Sequence, residues 1–212
     1  VVVASGPNRV GQGLEFDTCC TLASLALRRH GVKTVMVNSN PETVSTDYNI
    51  SDRLYIEPLT VEHVRRIMES ERTQQVLLQL GGQTPLNMVD ALESSGAVIM
   101  GTSARSIRIA DDRRQFSNLL SQLGLRQSRN RSAIRKDEVF HCAEEVGYPV
   151  LLRPSHVLGG RKMTIAYNQE ELKQFISHDI EVSIESPLLV DHFLEDAFEY
   201  DLDAVSDGTS IH

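Results

Sequence analysis

Between residues 1 and 100, apolar runs of strand length alternate with segments of helical period, and glycine punctuates the junctions. Residues 1–4 (VVVA) lead into Ser5, Gly6, Pro7 and a loop reaching Gly13. A helix follows over about 15–30, with Cys19, Leu22, Ala23 and Ala26 on the face expected to pack, and Gly31 stops it. Residues 33–38 (KTVMVN) and 53–56 (RLYI) read as strands. Residues 61–70 read as a helix capped by Thr60, with Val64, Ile67 and Met68 at helical spacing. A buried strand at 75–80 (QVLLQL), a helix at 86–95 and a strand at 97–100 complete the series. Parallel strands need crossover helices, so this order predicts an α/β, Rossmann-like domain whose parallel sheet carries flanking helices. The loops after Ser5, Asn38 and Gly81 are then expected at one sheet edge, where such folds hold ligands.

The glycines do not make a dinucleotide site. Gly6, Gly11 and Gly13 miss the GxGxxG spacing, and Pro7 stands where a close backbone approach is wanted. The second strand ends in Asn38, Ser39 and Asn40, without the acidic residue a ribose would need. The loop over 40–47 (NPETVSTD) holds more hydroxyls and carboxylates than a plain turn requires.

A length of 212 residues fits one or two domains. The balance of 21 basic against 29 acidic residues, formally −8, argues against a nucleic-acid surface while leaving room for a local basic site for one small polyanion. No apolar run approaches the roughly 18 residues of a membrane span, and no secretory leader is evident, so a cytoplasmic protein is expected, without membrane or nucleic-acid partners. Cys19, Cys20 and Cys142 form neither metal spacing nor an even disulfide set, which suits a reducing compartment. Both ends read as cut, and a fragment of something longer is expected.

The second half has a different grammar. Gly101, Thr102 and Ser103 cap a helix near 104–110; a further helix at 112–123 opens with Asp112, Arg113 and Arg114 and puts Phe116, Leu119, Leu120 and Leu123 on its expected core face. The polar run 126–131 (RQSRNR) reads as a boundary, which gives domains at 1–103 and 131–212 with a helical connection over 104–130. After an amphipathic helix at 137–146 comes 147–163, GYPVLLRPSHVLGGRKM. Its apolar strand passes through Arg153 to Gly159, Gly160, Arg161 and Lys162, and alternation then resumes at 163–167. The segment is a strand–loop–strand hairpin and not a P-loop, which would open a helix. A glycine pair lets backbone N–H groups approach an anion while flanking cations add charge-assisted bonds. An ordinary Gly-Gly turn with solvated basic residues fits the stretch as well. A helix at 170–177 and a strand at 188–194 (LLVDHFL) follow; then 196–207 alternates carboxylates with apolar groups, the pattern of a half-wet strand. There, a strand edge running into a bend can meet an adenine edge while Glu199 accepts ribose hydroxyls; packing residues and a solvated strand face are the plainer alternative.

Taken together the two sites resemble the ATP-grasp fold, and the whole chain is similar to the large subunit of carbamoyl-phosphate synthetase. The residues that carry the resemblance are GPNRVGQGLEFD (6–17), NPETVSTDY (40–48), SDRLYIEPLT (51–60), GGQTPLN (81–87), GTS (101–103), ADDR (110–113), the stretch 147–163, and DHFLEDAFEYDLDAVSDG (191–208). The resemblance implies a pre-ATP-grasp Rossmann-like domain followed by the first, incomplete part of an ATP-grasp α+β domain. It implies that Arg153 contacts ATP phosphates, that Gly159 and Gly160 fold over them, that His192 and Leu194 meet the adenine, that Glu199 holds the ribose, and that Arg113 approaches the phosphates. The loop at 155–162 resembles the second of the family's two halves, which phosphorylates carbamate with ATP; the first makes carboxyphosphate from bicarbonate. Gly11, Gln12 and Gly13, with 40–43 and 81–84, resemble motifs on the carbamate side and the tunnel. The family's Mg2+ or Mn2+ ligands correspond to positions beyond His212, so the fragment is expected to be inactive alone. A glutaminase small subunit and a hetero-oligomer are implied, feeding pyrimidine and arginine synthesis. The competing readings are another ATP-grasp ligase such as a biotin carboxylase, a non-catalytic nucleotide-sensing module, and a dehydrogenase.

Overall fold

The computed structural model describes residues 1–6, 13–154, 163–177, 182–184 and 186–211, with the side chain of Arg114 left out. It divides into two compact units, Val1–Gly124 and Leu125–His212.

The first unit contains β1 (Val2–Val3), α1 (Leu14–Arg29), β2 (Val35–Asn38), β3 (Arg53–Ile56), α2 (Val61–Ser70) and β4 (Gln75–Val76). It continues through α3 (Gln83–Leu86), α4 (Val89–Ser94), β5 (Val98–Ile99), α5 (Ala104–Asp111) and α6 (Arg113–Gln122). Strands β1, β2 and β3 pair in parallel, as do β4 and β5. A parallel bridge from Val2 to Leu77 joins the two groups, so the lateral order is β3-β2-β1-β4-β5. Strand side chains alternate between faces. Val2 and Ala4 pack with Cys20, Met36 and Ile50, whereas Val3 packs on the other side with Val64, Met68, Val76, Leu78 and Leu92. This is the expected α/β layering, with helices on both faces of a parallel sheet.

Local expectations fare unevenly. In α2, the Thr60 side chain accepts from the N–H of His63, and Val64, Ile67 and Met68 are buried as their spacing predicts. The strand expected over 75–80 is shorter, because Gly81 already turns back to donate to the carbonyl of Leu78 (3.3 Å). The helix expected over 86–95 is two short helices meeting at Asn87 and Met88. In α1 the buried face is Asp17, Cys20, Thr21 and Ser24; Cys19 is exposed and Leu22 is 60% exposed, contrary to the expected face. Polar bonds turn the helix: Ser24 Oγ donates to the carbonyl of Ile50 (2.9 Å) and bonds the Thr34 hydroxyl (2.8 Å), while Asp17 accepts from the N–H of Ser45 (3.0 Å). The stripe expected to be core in α6 is not buried either, with Phe116 at 42% and Leu123 at 61% exposure. Among the described residues of its unit α6 packs on α5, and of that stripe Leu119 and Leu120 are half-buried while Phe116 and Leu123 stay exposed.

The second unit contains β6 (Asn130–Ala133), α7 (Lys136–Val146), β7 (Val150–Pro154), β8 (Thr164–Ala166), α8 (Gln169–Ser177) and β9 (Leu188–His192). All pairings are antiparallel, in the order β6-β9-β7-β8. The hairpin expected around 147–163 is β7 with β8, Leu151 standing opposite Ile165. Val150, Leu152, Ala166, Leu188 and Val190 point to one face, where Val139, Cys142, Ala143 and Val146 of α7 and Leu172 and Ile176 of α8 close the core. The polar run at 126–131 enters β6 at Asn130. The strand expected over 196–207 is instead irregular and exposed, apart from one bridge between Ser206 and Ile211. A strand needs a neighbour for its N–H groups, and among the described residues positions 196–205 have none. No described helix is long and apolar enough to cross a membrane.

Candidate functional site

Both helices of the second unit pack on one face of its sheet, and alternation fixes what the other face presents. Leu151 and Arg153 on β7, Leu189 and Asp191 on β9, Asn130 and Ser132 on β6, and Ile165 on β8 share it by register. Arg153 Nε donates to Asp191 Oδ2 (2.8 Å), and Nη2 donates to the same oxygen. The two side chains are 31% and 14% exposed, so the pair sits against the sheet. Arg153 Nη1 has no partner among the described residues. Around the pair, Leu151, Leu189 and Ile165 are half-buried. The result is a shallow apolar floor with one oriented guanidinium, suited to a flat ring and an anion.

The end of β9 supplies backbone groups. The N–H of His192 donates to the carbonyl of Arg129 (2.8 Å), and that of Phe193 to the carbonyl of Pro149 (2.9 Å). His192 Nδ1 lies 2.9 Å from the carbonyl of Gly147, which can only accept, so the ring carries a proton on Nδ1. The exit from the strand is thereby pinned, and Leu194 is the first residue beyond it whose N–H has no partner among the described residues. Arg153, His192 and Leu194 therefore belong to one sheet and its exit. Glu199 lies farther on, in the exposed irregular segment, without a hydrogen bond or ion pair among the described residues. Gly159 and Gly160 lie outside the described residues. Arg113 is the exposed first residue of α6, in the other unit, behind an Asp112 cap that accepts from the N–H of Gln115 (2.9 Å). Asp191 stood inside a quoted motif with no role assigned. Its partner is a residue 38 positions away, and only strand register reveals the pair.

In the first unit, the loops after β1, β2 and β4 gather at one sheet edge, as the alternation predicts. Ser5, Gly6, Ser39, Glu57, Leu59 and Thr84 line a cavity of about 460 Å³ there. Asn38 holds the edge together: its Oδ1 accepts from the N–H groups of Gly6 and Asn40 (both 3.1 Å), and its Nδ2 donates to Ser45 Oγ (3.0 Å). A Cβ on Gly81 would lie 2.4 Å from the carbonyl oxygen of Val3 and 2.5 Å from Pro85 Cγ, so the GGQTP turn needs glycine to lie against β1. Among the described residues, Asp17 Oδ1 and Thr21 Oγ1 are buried without a hydrogen-bond partner. Among the described residues, no group of three or more His, Cys, Asp or Glu side chains is placed to hold a metal ion.

The profile of the carbamoyl phosphate synthase preATP-grasp domain matches residues 1–109, and that of the carbamoyl-phosphate synthase L chain ATP binding domain matches residues 112–211. The chain belongs to the carbamoyl phosphate synthase large-chain family. The carbamoyl phosphate synthase large chains of Gemmatimonas aurantiaca and Archaeoglobus fulgidus are 53% and 52% identical to it over 211 residues. Those alignments take in all of this chain but 19% and 20% of the relatives, so the chain spans about a fifth of their length. Among solved structures, the biotin carboxylase domain of Hydrogenobacter thermophilus 2-oxoglutarate carboxylase, in complex with MgADP, ADP and bicarbonate, superimposes with TM-score 0.66 at 19% identity. It covers 92% of this chain and 44% of that one. N5-carboxyaminoimidazole ribonucleotide synthetase from Thermus thermophilus gives 0.65 at 15% identity, over 91% and 46%. These likenesses establish the ATP-grasp architecture: a pre-ATP-grasp α/β domain followed by the start of an ATP-grasp domain. The family is one of ATP-grasp ligases.

Proposed function

We propose that the helix-free face of the β6-β9-β7-β8 sheet binds ATP, and that this chain belongs to the half of a carbamoyl phosphate synthase that phosphorylates carbamate. The observation that carries the reading is Arg153, held on a half-buried apolar floor with its Nη1 edge unused among the described residues, beside a pinned strand exit. Leu194 N–H and the carbonyl of His192 meet the adenine edge, Leu151 and Ile165 underlie the ring, and Arg153 takes phosphate oxygens. Glu199 accepts the ribose hydroxyls, the Gly159 and Gly160 loop closes over the phosphates, and Arg113 supplies a further cation. A carbamate oxygen attacks the γ-phosphorus in line, forming the new P–O bond as the bond to the β,γ-bridging oxygen breaks, and ADP leaves. Positioning and charge stabilisation supply most of such catalysis, which suits a site built from a guanidinium, backbone amides and a glycine loop. The described residues do not fit the Mg2+ or Mn2+ that accompanies ATP, and no step is assigned to a metal held by them. In this reading ammonia comes from a glutaminase small subunit, the protein is cytoplasmic, the product feeds arginine and pyrimidine synthesis, and residues 1–212 alone do not turn over.

Calorimetric titration with MgATP and MgADP tests the site, on the 212-residue chain and on the full-length protein that carries it. Arg153→Ala and Glu199→Ala each weaken binding by about tenfold or more, the worth of a lost charged hydrogen bond. A full-length protein whose nucleotide binding is absent, or is left unchanged by both substitutions, overturns the reading.

A further inference from the structure

We infer that Asp191 is the positioning residue that holds the Arg153 guanidinium at the angle from which it takes phosphate. The inference rests on the nucleotide reading of this face. Arg153 stands opposite Leu189, and Asp191 opposite Leu151, so the two are diagonal neighbours on one face of adjacent strands. Strand β9 is paired on both sides, by β6 and β7, which makes the short Asp191 side chain a fixed anchor for a long, rotamer-rich one. Of the five N–H bonds of the guanidinium, Asp191 Oδ2 takes the Nε one and one on Nη2. Among the described residues the edge formed by Nη1 and the second Nη2 hydrogen remains, and such an edge can grip two oxygens of a phosphate at once. Asp191 thus blocks one edge, fixes the plane, and leaves the other edge facing outward.

The competing effect has the opposite sign, which makes the claim testable. Asp191 is an anion close to where other anions are to bind, so plain Coulomb repulsion predicts that neutralising it tightens ATP binding. Positioning predicts that neutralising it weakens binding, and only for the phosphate-bearing part of the ligand. The experiment titrates adenosine, AMP, ADP and ATP into the full-length protein as wild type, Asp191→Asn, Asp191→Glu, Arg153→Ala and the Arg153→Ala/Asp191→Asn double variant, each checked for folding by its melting curve. Asp191→Asn is expected to weaken ADP and ATP by about tenfold while leaving adenosine within about twofold. Asp191→Glu recovers part of the loss. In the Arg153→Ala background Asp191→Asn adds nothing, since it acts through the missing guanidinium.

Unchanged or tighter ATP binding in Asp191→Asn overturns the inference, as does an equal loss for adenosine or a full additive loss in the double variant. Nitrogen-15 relaxation at Arg153 Nε gives a reading without nucleotide: an arginine as ordered in Asp191→Asn as in wild type refutes the anchoring. Failure of the underlying nucleotide reading looks different, because Arg153→Ala itself then leaves the gain in affinity from adenosine to ATP unchanged.

Discussion

Asn38→Ala is the sharpest single test of how the first unit is held. Asn38 is 0% exposed, and its amide joins three segments: the loop after β1 through Gly6, its own turn through Asn40, and the 3-10 turn through Ser45. Truncation leaves the buried Gly6 N–H without an acceptor, at about 2 kcal/mol, and the Asn40 N–H, which water can partly reach, at about 1 kcal/mol. The lost bond to Ser45 and the small void bring the total to roughly 4 kcal/mol. Ser45→Ala removes one of these bonds and should cost only about 1–2 kcal/mol. Native-state hydrogen exchange, read at Ala4, whose N–H donates to the carbonyl of Val37 (2.9 Å), gives the opening free energy of this unit by itself. Protection at Gly6 and Asn40 should fall further than at Ala4. If Asn38→Ala costs no more than Ser45→Ala and Gly6 stays protected, the amide is not what fastens these loops.

Gly81→Ala drives a methyl group into the Val3 carbonyl and the Pro85 ring, and should lower stability by about 2–3 kcal/mol; a melting temperature equal to wild type would sink the close-approach account. On the second sheet, Leu152 and Leu151 are neighbours on opposite faces. Leu152→Ala should cost about 2–5 kcal/mol and Leu151→Ala clearly less, and equal costs in urea unfolding would mean the second face is core as well. Iodoacetamide should alkylate Cys19 in the folded protein but reach Cys20 and Cys142 only on unfolding. Burial, aided by Asp17, pushes the Cys20 thiol up to about 12, and burial raises Cys142 too; equal rates in mass spectra would contradict both. The N–H donated by Thr34 (2.8 Å), with Arg28 and Lys33 nearby, holds the Asp52 carboxyl below the usual range. A depressed folded value means that its contribution is present above the unfolded value of about 3.9 and is lost as pH falls through the lower, folded one. Asp52→Asn should therefore destabilise at neutral pH and flatten the acid side of the melting profile; a variant with an unchanged acid slope would exclude the linkage.

Much of the fold was legible because local chemistry and tertiary packing agree where it matters. Thr60 caps the helix it precedes, Val64, Ile67 and Met68 keep the helical period, and the alternation of strand and helix in the first unit matches its parallel pairing. The failures share a cause: hydropathy ranks a side chain but not its neighbours. In α1 a polar side chain with a buried partner outranks a leucine, so Asp17 and Ser24 face inward and Leu22 faces out. In α6 the apolar period is genuine but the stripe is only partly covered, and over 196–205 no described strand pairs with the chain. Periodicity predicts a face, and only a partner makes that face a core.

The candidate site divides along the same line. Arg153 stands out in sequence as a cation at the end of an apolar strand run, whereas His192 draws its expected role only from the family resemblance. Asp191 was not legible, for its meaning depends on the offset between β7 and β9, and β8 and α8 separate those strands in the chain. Yet the carboxylate decides what the arginine can do. A guanidinium free to swing would offer any of its edges to an anion, whereas one gripped through Nε and Nη2 offers one edge in one plane. Half of the pair can be read from the order of residues; the other half exists only once two strands have settled their register, and the directional chemistry of the face begins there.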